Sequence, residues 1–106
     1  MASGILGQSA LSATTNTSVY TVPASTLSVV NVNILNRSTS SAALVRLAVA
    51  ATGTPNNAEY LEYDVSIPKS GVLERTGLAL NASKQIVVYA DTADVSVSVY
   101  GIEQAV

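Results

Sequence analysis

The stretch DVSVSVYGIE, Asp94 to Glu103, sets valines at 95, 97 and 99 against serines at 96 and 98. Successive side chains leave a strand on opposite sides, so an alternation of period two fits a strand with one packed and one polar face and fits no helix. Alternation recurs in AALVRLAVA (Ala42 to Ala50) and YLEYDVSI (Tyr60 to Ile67), and SVYTV (Ser18 to Val22), TLSVVNVNILN (Thr26 to Asn36), VLERTGLAL (Val72 to Leu80) and KQIVVYA (Lys84 to Ala90) read as further strands. Turn-forming residues separate these runs: PAS at Pro23, RSTSS after Asn36, PKSG at Pro68, NAS at Asn81 and DTAD at Asp91. A single helical turn fits TGTPNNAEY, with Thr54 as N-cap and Pro55 at the first helical position.

About eight short strands with regular turn signals predict an all-β fold, an antiparallel β-sandwich of jelly-roll or immunoglobulin-like topology. The 106 residues suit one domain. Residues 1–16 read as an N-terminal arm and short strand, anchored by Ile5, Leu6 and Leu11, and residues 17–106 as the sandwich. In β-strand parity, Val30, Val32 and Ile34 oppose Val29, Asn31, Asn33 and Leu35, and this mixture predicts a bulge or a crossing between sheets. Leu61, Tyr63, Val65 and Ile67 are expected inward, with Tyr60, Glu62, Asp64 and Ser66 outward. Gly77 is expected to bend its strand.

The polar face of these strands is peculiar. Strands that meet water usually carry lysine, glutamate or arginine there, whereas charged residues make up only 11% of this chain, against about 25% in a typical soluble domain. Serine, threonine, alanine and asparagine take their place; they hydrate weakly and lose little side-chain entropy when covered. Such a surface is suited to lying against another chain. With no Phe or Trp and five Tyr, the core must be aliphatic.

Several classes of chemistry are disfavoured. Five scattered basic residues, a net charge of -2 and a pI near 4.7 provide no positive field for nucleic acid. No apolar run approaches the roughly 18 residues of a membrane helix, and the N-terminus lacks the pattern of a secretory signal. Without histidine or cysteine there is no Ser-His-Asp or Cys-His triad and no usual zinc site. Glu62 and Asp64 stand roughly 7 Å apart along one strand face, a spacing that overlaps glycosidase carboxylates but reads better as two solvated anions. Asp91 and Asp94 read as turn residues rather than calcium ligands. The triplets at Asn16, Asn36 and Asn81 match a glycosylation pattern that chance explains in so Ser/Thr-rich a chain. Tyr60, Tyr63, Tyr89 and Tyr100 offer a sugar-stacking platform only if they share a face, and the parity of Tyr60 and Tyr63 separates them. Neither a cofactor, a metal nor a small-molecule substrate is expected.

The segments YTVPAS (Tyr20 to Ser25), NILNRS (Asn33 to Ser38), AEYLEYDVSIPKSGVLERTGLAL (Ala58 to Leu80), IVVYA (Ile86 to Ala90) and VSVYGIE (Val97 to Glu103) resemble small β-sandwich virion structural proteins of tailed bacteriophages, of the cyanophage and marine-phage type. The IPxxGVLERTG stretch is the most distinctive. The resemblance implies a non-enzymatic virion component: a capsid decoration (cement) protein that stabilises the phage head, or a small tail, neck or baseplate piece. No catalytic residue carries over. The expected partners are copies of itself, as a homotrimer, and the major capsid protein or other virion proteins, in a particle assembled in the host bacterial cytoplasm. A carbohydrate-binding or adhesin module is the alternative of another class. Candidate interaction residues are Ile5, Leu6 and Leu11 on the arm, Glu74 and Arg75 mid-strand as edge protection or a subunit-crossing ion pair, and Ser96 and Ser98 on the serine face. On this expectation, removing Met1 to Ala10 weakens association and leaves the β fold intact.

Overall fold

The computed structural model describes residues 2–106; Met1, the first residue of the expected arm, lies outside them. Eight strands follow in order: β1 (Ser3–Ala10), β2 (Thr17–Thr21), β3 (Thr26–Asn36), β4 (Ala43–Ala50), β5 (Tyr60–Ile67), β6 (Val72–Leu80), β7 (Gln85–Ala90) and β8 (Val95–Ala105). They form two four-stranded antiparallel sheets, β1–β8–β3–β6 (sheet A) and β2–β7–β4–β5 (sheet B). The first strand pairs with the last, the second with the seventh, the third with the sixth and the fourth with the fifth. This nesting is a long hairpin wrapped into two layers, the jelly roll, and it excludes the immunoglobulin-like order.

The core is aliphatic throughout. Val30, Val32 and Ile34 of β3, Val45 and Leu47 of β4, Ile86 and Val88 of β7, and Val95, Val97 and Val99 of β8 are buried between the sheets. Each β-branched side chain fits the pleated, packed face that its strand offers. The expected parity break in β3 does not occur. Its even-numbered residues all turn inward, including Thr26, Ser28 and Asn36. What misled the sequence pattern was apolar residues on the outer face, Leu27, Val29 and Leu35.

The bulge sits instead on the neighbouring strand. Val30 pairs with Leu78 and Val32 with Arg75, so Thr76 and Gly77 together oppose Asn31. Gly77 has φ +68°, the left-handed conformation glycine adopts without a Cβ clash, and its N–H donates to Asn31 Oδ1 at 3.0 Å. The bend expected at Gly77 is therefore present.

Residues 2–16 are not a free arm. Ser3–Ala10 pairs with β8 along its length, Leu6 packs on the core, and Leu11 is buried, with its N–H bonded to Val95 O. Nor does Thr54 cap the helical turn. A single 3₁₀ turn, Asn57–Glu59, is capped by Asn56, whose side chain accepts from Ala58 N–H while Glu59 accepts from Asn56 N–H.

Two polar groups tie the ends of the sandwich. Asn36 is fully buried; its Nδ2 donates to the carbonyls of Ser41 (2.9 Å), Ile67 (3.1 Å) and Pro68 (3.3 Å), and its Oδ1 accepts from Ser38 N–H. That burial withholds Asn36 from glycosylation in the folded chain. Tyr20 is buried at the opposite end of β3; its hydroxyl donates to Glu103 Oε2 at 2.5 Å and lies 2.7 Å from Ser28 Oγ, which is left to act as donor.

Candidate functional site

The two sheets treat their outer faces differently. On sheet B, Ala48, Ala50 and Val87 point away from the core yet are buried, with Tyr60 packed against them. Beside them Arg46 stacks its guanidinium over Tyr63 (4.2 Å to the ring centroid) and Tyr89 (4.5 Å) and bonds Asp64 at 2.7 Å. Tyr60 meets Tyr63 edge-on at 4.9 Å. Sheet B thus covers part of its own outer surface, while Leu44 and Tyr63 stay exposed there.

The expected facing of β5 is corrected here. Val45 pairs with Val65, Leu47 with Glu62 and Ala48 with Tyr60, so β5 gains one residue opposite Arg46 and another before Glu62. Asp64 takes the left-handed conformation, φ +52°, at the first of these bulges. Each extra residue reverses the parity. Val65 and Ile67 face inward as expected, but Tyr63 faces outward and Leu61 is exposed. Glu62 turns to the inner side, where it pairs with Arg75. Tyr60 and Tyr63 therefore share a face, contrary to their sequence parity. Glu62 and Asp64 do not, and each is paired with its own arginine.

Sheet A has no such cover. Its outer face is built from four rows across β1, β8, β3 and β6: Ala10, Ser96, Leu35, Val72; Gln8, Ser98, Asn33, Glu74; Ile5, Tyr100, Asn31 and the Thr76 bulge; Ser3, Ile102, Val29, Ala79. Ile5 (60%), Ile102 (54%), Val72 (51%) and Val29 (38%) are exposed, an unusual set of large aliphatics for one sheet face. Between them lies a band of neutral polar groups, with Gln8 Nε2 donating to Ser98 Oγ at 3.2 Å and Tyr100 OH to Glu74 at 3.3 Å. Among the described residues Glu74 is the one charged side chain on this face. Beside β1, a shallow depression of about 320 Å³ is lined by Gln8, Ser9, Ala10, Ser96, Val97 and Ser98.

Of the candidate interaction residues, the fold brings Ile5, Glu74, Ser96 and Ser98 onto this one surface. Leu6 and Leu11 belong to the core. Arg75 lies at the sheet edge and pairs with Glu62 of the same chain, joining β6 of one sheet to β5 of the other, so it is not free for a subunit-crossing pair. Sequence reasoning missed Val29, Asn31, Asn33, Leu35, Val72 and Ile102. For those on β3 and β8 the signal was available, since they share strand parity against buried valines; Val72 alternates instead with the core leucine Leu73. Asp91 and Asp94 serve their turn, Asp91 Oδ1 accepting from Leu44 N–H and Asp94 N–H donating to Thr92.

Electrostatics reinforce the contrast. Glu103 is held below the usual carboxylate range by the Tyr20 hydroxyl and then by Ala2 N–H, and burial together with Glu103 pushes Tyr20 up to about 12. These perturbed groups lie beside Ser28 at one end of β3, away from Glu74, which stands opposite Asn33. Comparison with protein-family models, curated proteins and solved structures found no match.

Proposed function

We propose that this chain is a non-enzymatic structural protein of a phage particle, a capsid decoration protein that lays the outer face of sheet A on the shell. The observation that carries this reading is the bare face itself: four strands of small, aliphatic and neutral polar side chains with a single carboxylate. Four strands about 4.8 Å apart and about nine residues long cover roughly 600 Å² in projection. That approaches the roughly 800 Å² per partner of a standard interface. Desolvating serine, asparagine and valine costs far less than desolvating lysine or glutamate, so the face is suited to being covered. The sequence resemblance to virion proteins supplies the particle, and the jelly roll, a fold used by viral capsid domains among others, agrees with it at the level of analogy.

A decoration protein stabilises what it binds by mass action, and repeated weak contacts add through multivalency. The test is Val29→Lys with Ile102→Lys. Both side chains point outward, so circular dichroism should stay unchanged while co-sedimentation with the particle is lost. Retained binding by that variant overturns the assignment of this face. Electron microscopy of the particle then separates head from tail: density on the tail, neck or baseplate favours a component of those parts.

A second reading has its own observation, the convergence of Tyr60, Tyr63 and Tyr89 on sheet B, which suits sugar stacking. A glycan array separates the two. Silence supports decoration, and a signal abolished by Tyr63→Ala supports a carbohydrate-binding module.

A further inference from the structure

An open sandwich has four edge strands, and three of these are guarded. β6 carries Glu74, Arg75 and the Gly77 bulge; β5 carries Glu62, Asp64 and two bulges; β2 is five residues long, bulged at Val19, and followed closely by Pro23. Charge, proline, bulges and shortness are the devices by which edges avoid pairing with other chains. β1 is eight residues, SGILGQSA, without a charge or a proline, and its single register shift lies at its centre, between Ile5 and Gly7.

That shift makes the strand symmetric about its own midpoint. Leu11 N–H bonds Val95 O, and Glu103 N–H bonds Ala2 O. Backbone groups alternate in direction along an antiparallel strand, so Ser9, Gly7 and Gly4 turn their N–H and C=O toward β8. Ser3, Ile5, Gln8 and Ala10 turn theirs to the open edge. The same four residues place their side chains on the outer face of sheet A, opposite Ile102, Tyr100, Ser98 and Ser96. Laid antiparallel on a copy of itself, β1 matches Ser3 with Ala10 and Ile5 with Gln8. In this register both the free backbone groups and the outward side chains coincide.

We propose that β1 pairs with β1 of a second copy of this chain across a two-fold axis, giving a continuous eight-stranded sheet. The pairing is isologous, so it closes at a dimer. It joins two faces that each carry a single charge into one and leaves the two Glu74 side chains on the far edge strands, seven strand spacings or roughly 34 Å apart at about 4.8 Å per strand. Twofold pairing replaces the threefold association expected from the sequence, and it holds whatever the outer face binds.

The chain has no cysteine, so introduced thiols report the register. In the full chain, oxidised Ile5→Cys/Gln8→Cys should form a covalent dimer, because directly paired residues bring Cα atoms to about 5.5 Å, within disulfide reach. Each single variant should not link, since Ile5 faces Gln8 of the other copy. A Glu74→Cys/Thr76→Cys pair on the β6 edge should stay monomeric. By sedimentation equilibrium the unmodified chain should show monomer and dimer, and Gln8→Pro, which deletes an outward N–H, should weaken the dimer at least tenfold. A monomer at the highest soluble concentration, a trimer, or cross-linking from the β6 pair in place of the β1 pair overturns the proposal.

Discussion

Three side chains show how single residues hold the layers together. Tyr20 is kept neutral in the folded chain to about pH 12, against an ordinary value near 10. The folded state therefore holds a proton that the unfolded chain gives up between those values. Its contribution is fully present below pH 10 and is lost as pH rises toward 12, by roughly 2–3 kcal/mol. Urea unfolding at pH 9 and at pH 11.5 should show this drop, and Tyr20→Phe should remove most of it. Glu103 works in the opposite sense: its lowered value gives stability that is present above the ordinary carboxylate range and lost as pH falls through the lowered one. Asn36 needs no titration. Asn36→Ala leaves the Ile67 carbonyl short of its buried donor and should cost about 2–4 kcal/mol by denaturant midpoint.

At the level of strands, the bulges decide which side chains work together. The extra residue at Asp64 turns Glu62 toward Arg75 and Tyr63 toward Arg46. Both ion pairs are partly exposed, so a double-mutant cycle between Arg46 and Asp64 should return no more than about 1 kcal/mol. β8 depends on a close approach of another kind. Gly101 has φ +156°, and a Cβ there would lie 2.1 Å from Val29 O of β3. Gly101→Ala must push two central strands apart and should cost about 3 kcal/mol or prevent folding, as thermal unfolding will show.

Across the whole molecule, the nested pairing makes the N-terminal strand part of the sandwich. β1 covers one side of β8, and Leu6 joins the core. Removing Met1 to Ala10 should therefore lower the unfolding midpoint and expose the β8 edge to aggregation, rather than leave an intact fold without an arm. A loss of about 2 kcal/mol or more is expected from the missing ladder and apolar contact. Of five basic and seven acidic residues, one acidic side chain reaches the outer face of sheet A. The others lie in loops, at edges, on sheet B or at the sandwich end. Sparse charge is a property of the sequence; its near exclusion from one face is a property of the fold.

Alternation together with the turn residues between runs determined seven of the eight strands, because burial of one face requires apolar residues at every second position, and the absence of Phe and Trp determined the aliphatic core. Alternation also disclosed the serine face of β8. Leu6 and Leu11 were expected on an arm, since an edge strand and a free segment have similar composition, and only the fold placed them with the core. Only the tertiary structure decided which side of β3 was inside, as Val29 and Val30 are equally apolar. Only pairing with β4 placed Tyr60 beside Tyr63, because a bulge shifts the parity by one residue and arises from the register with a neighbour distant in sequence.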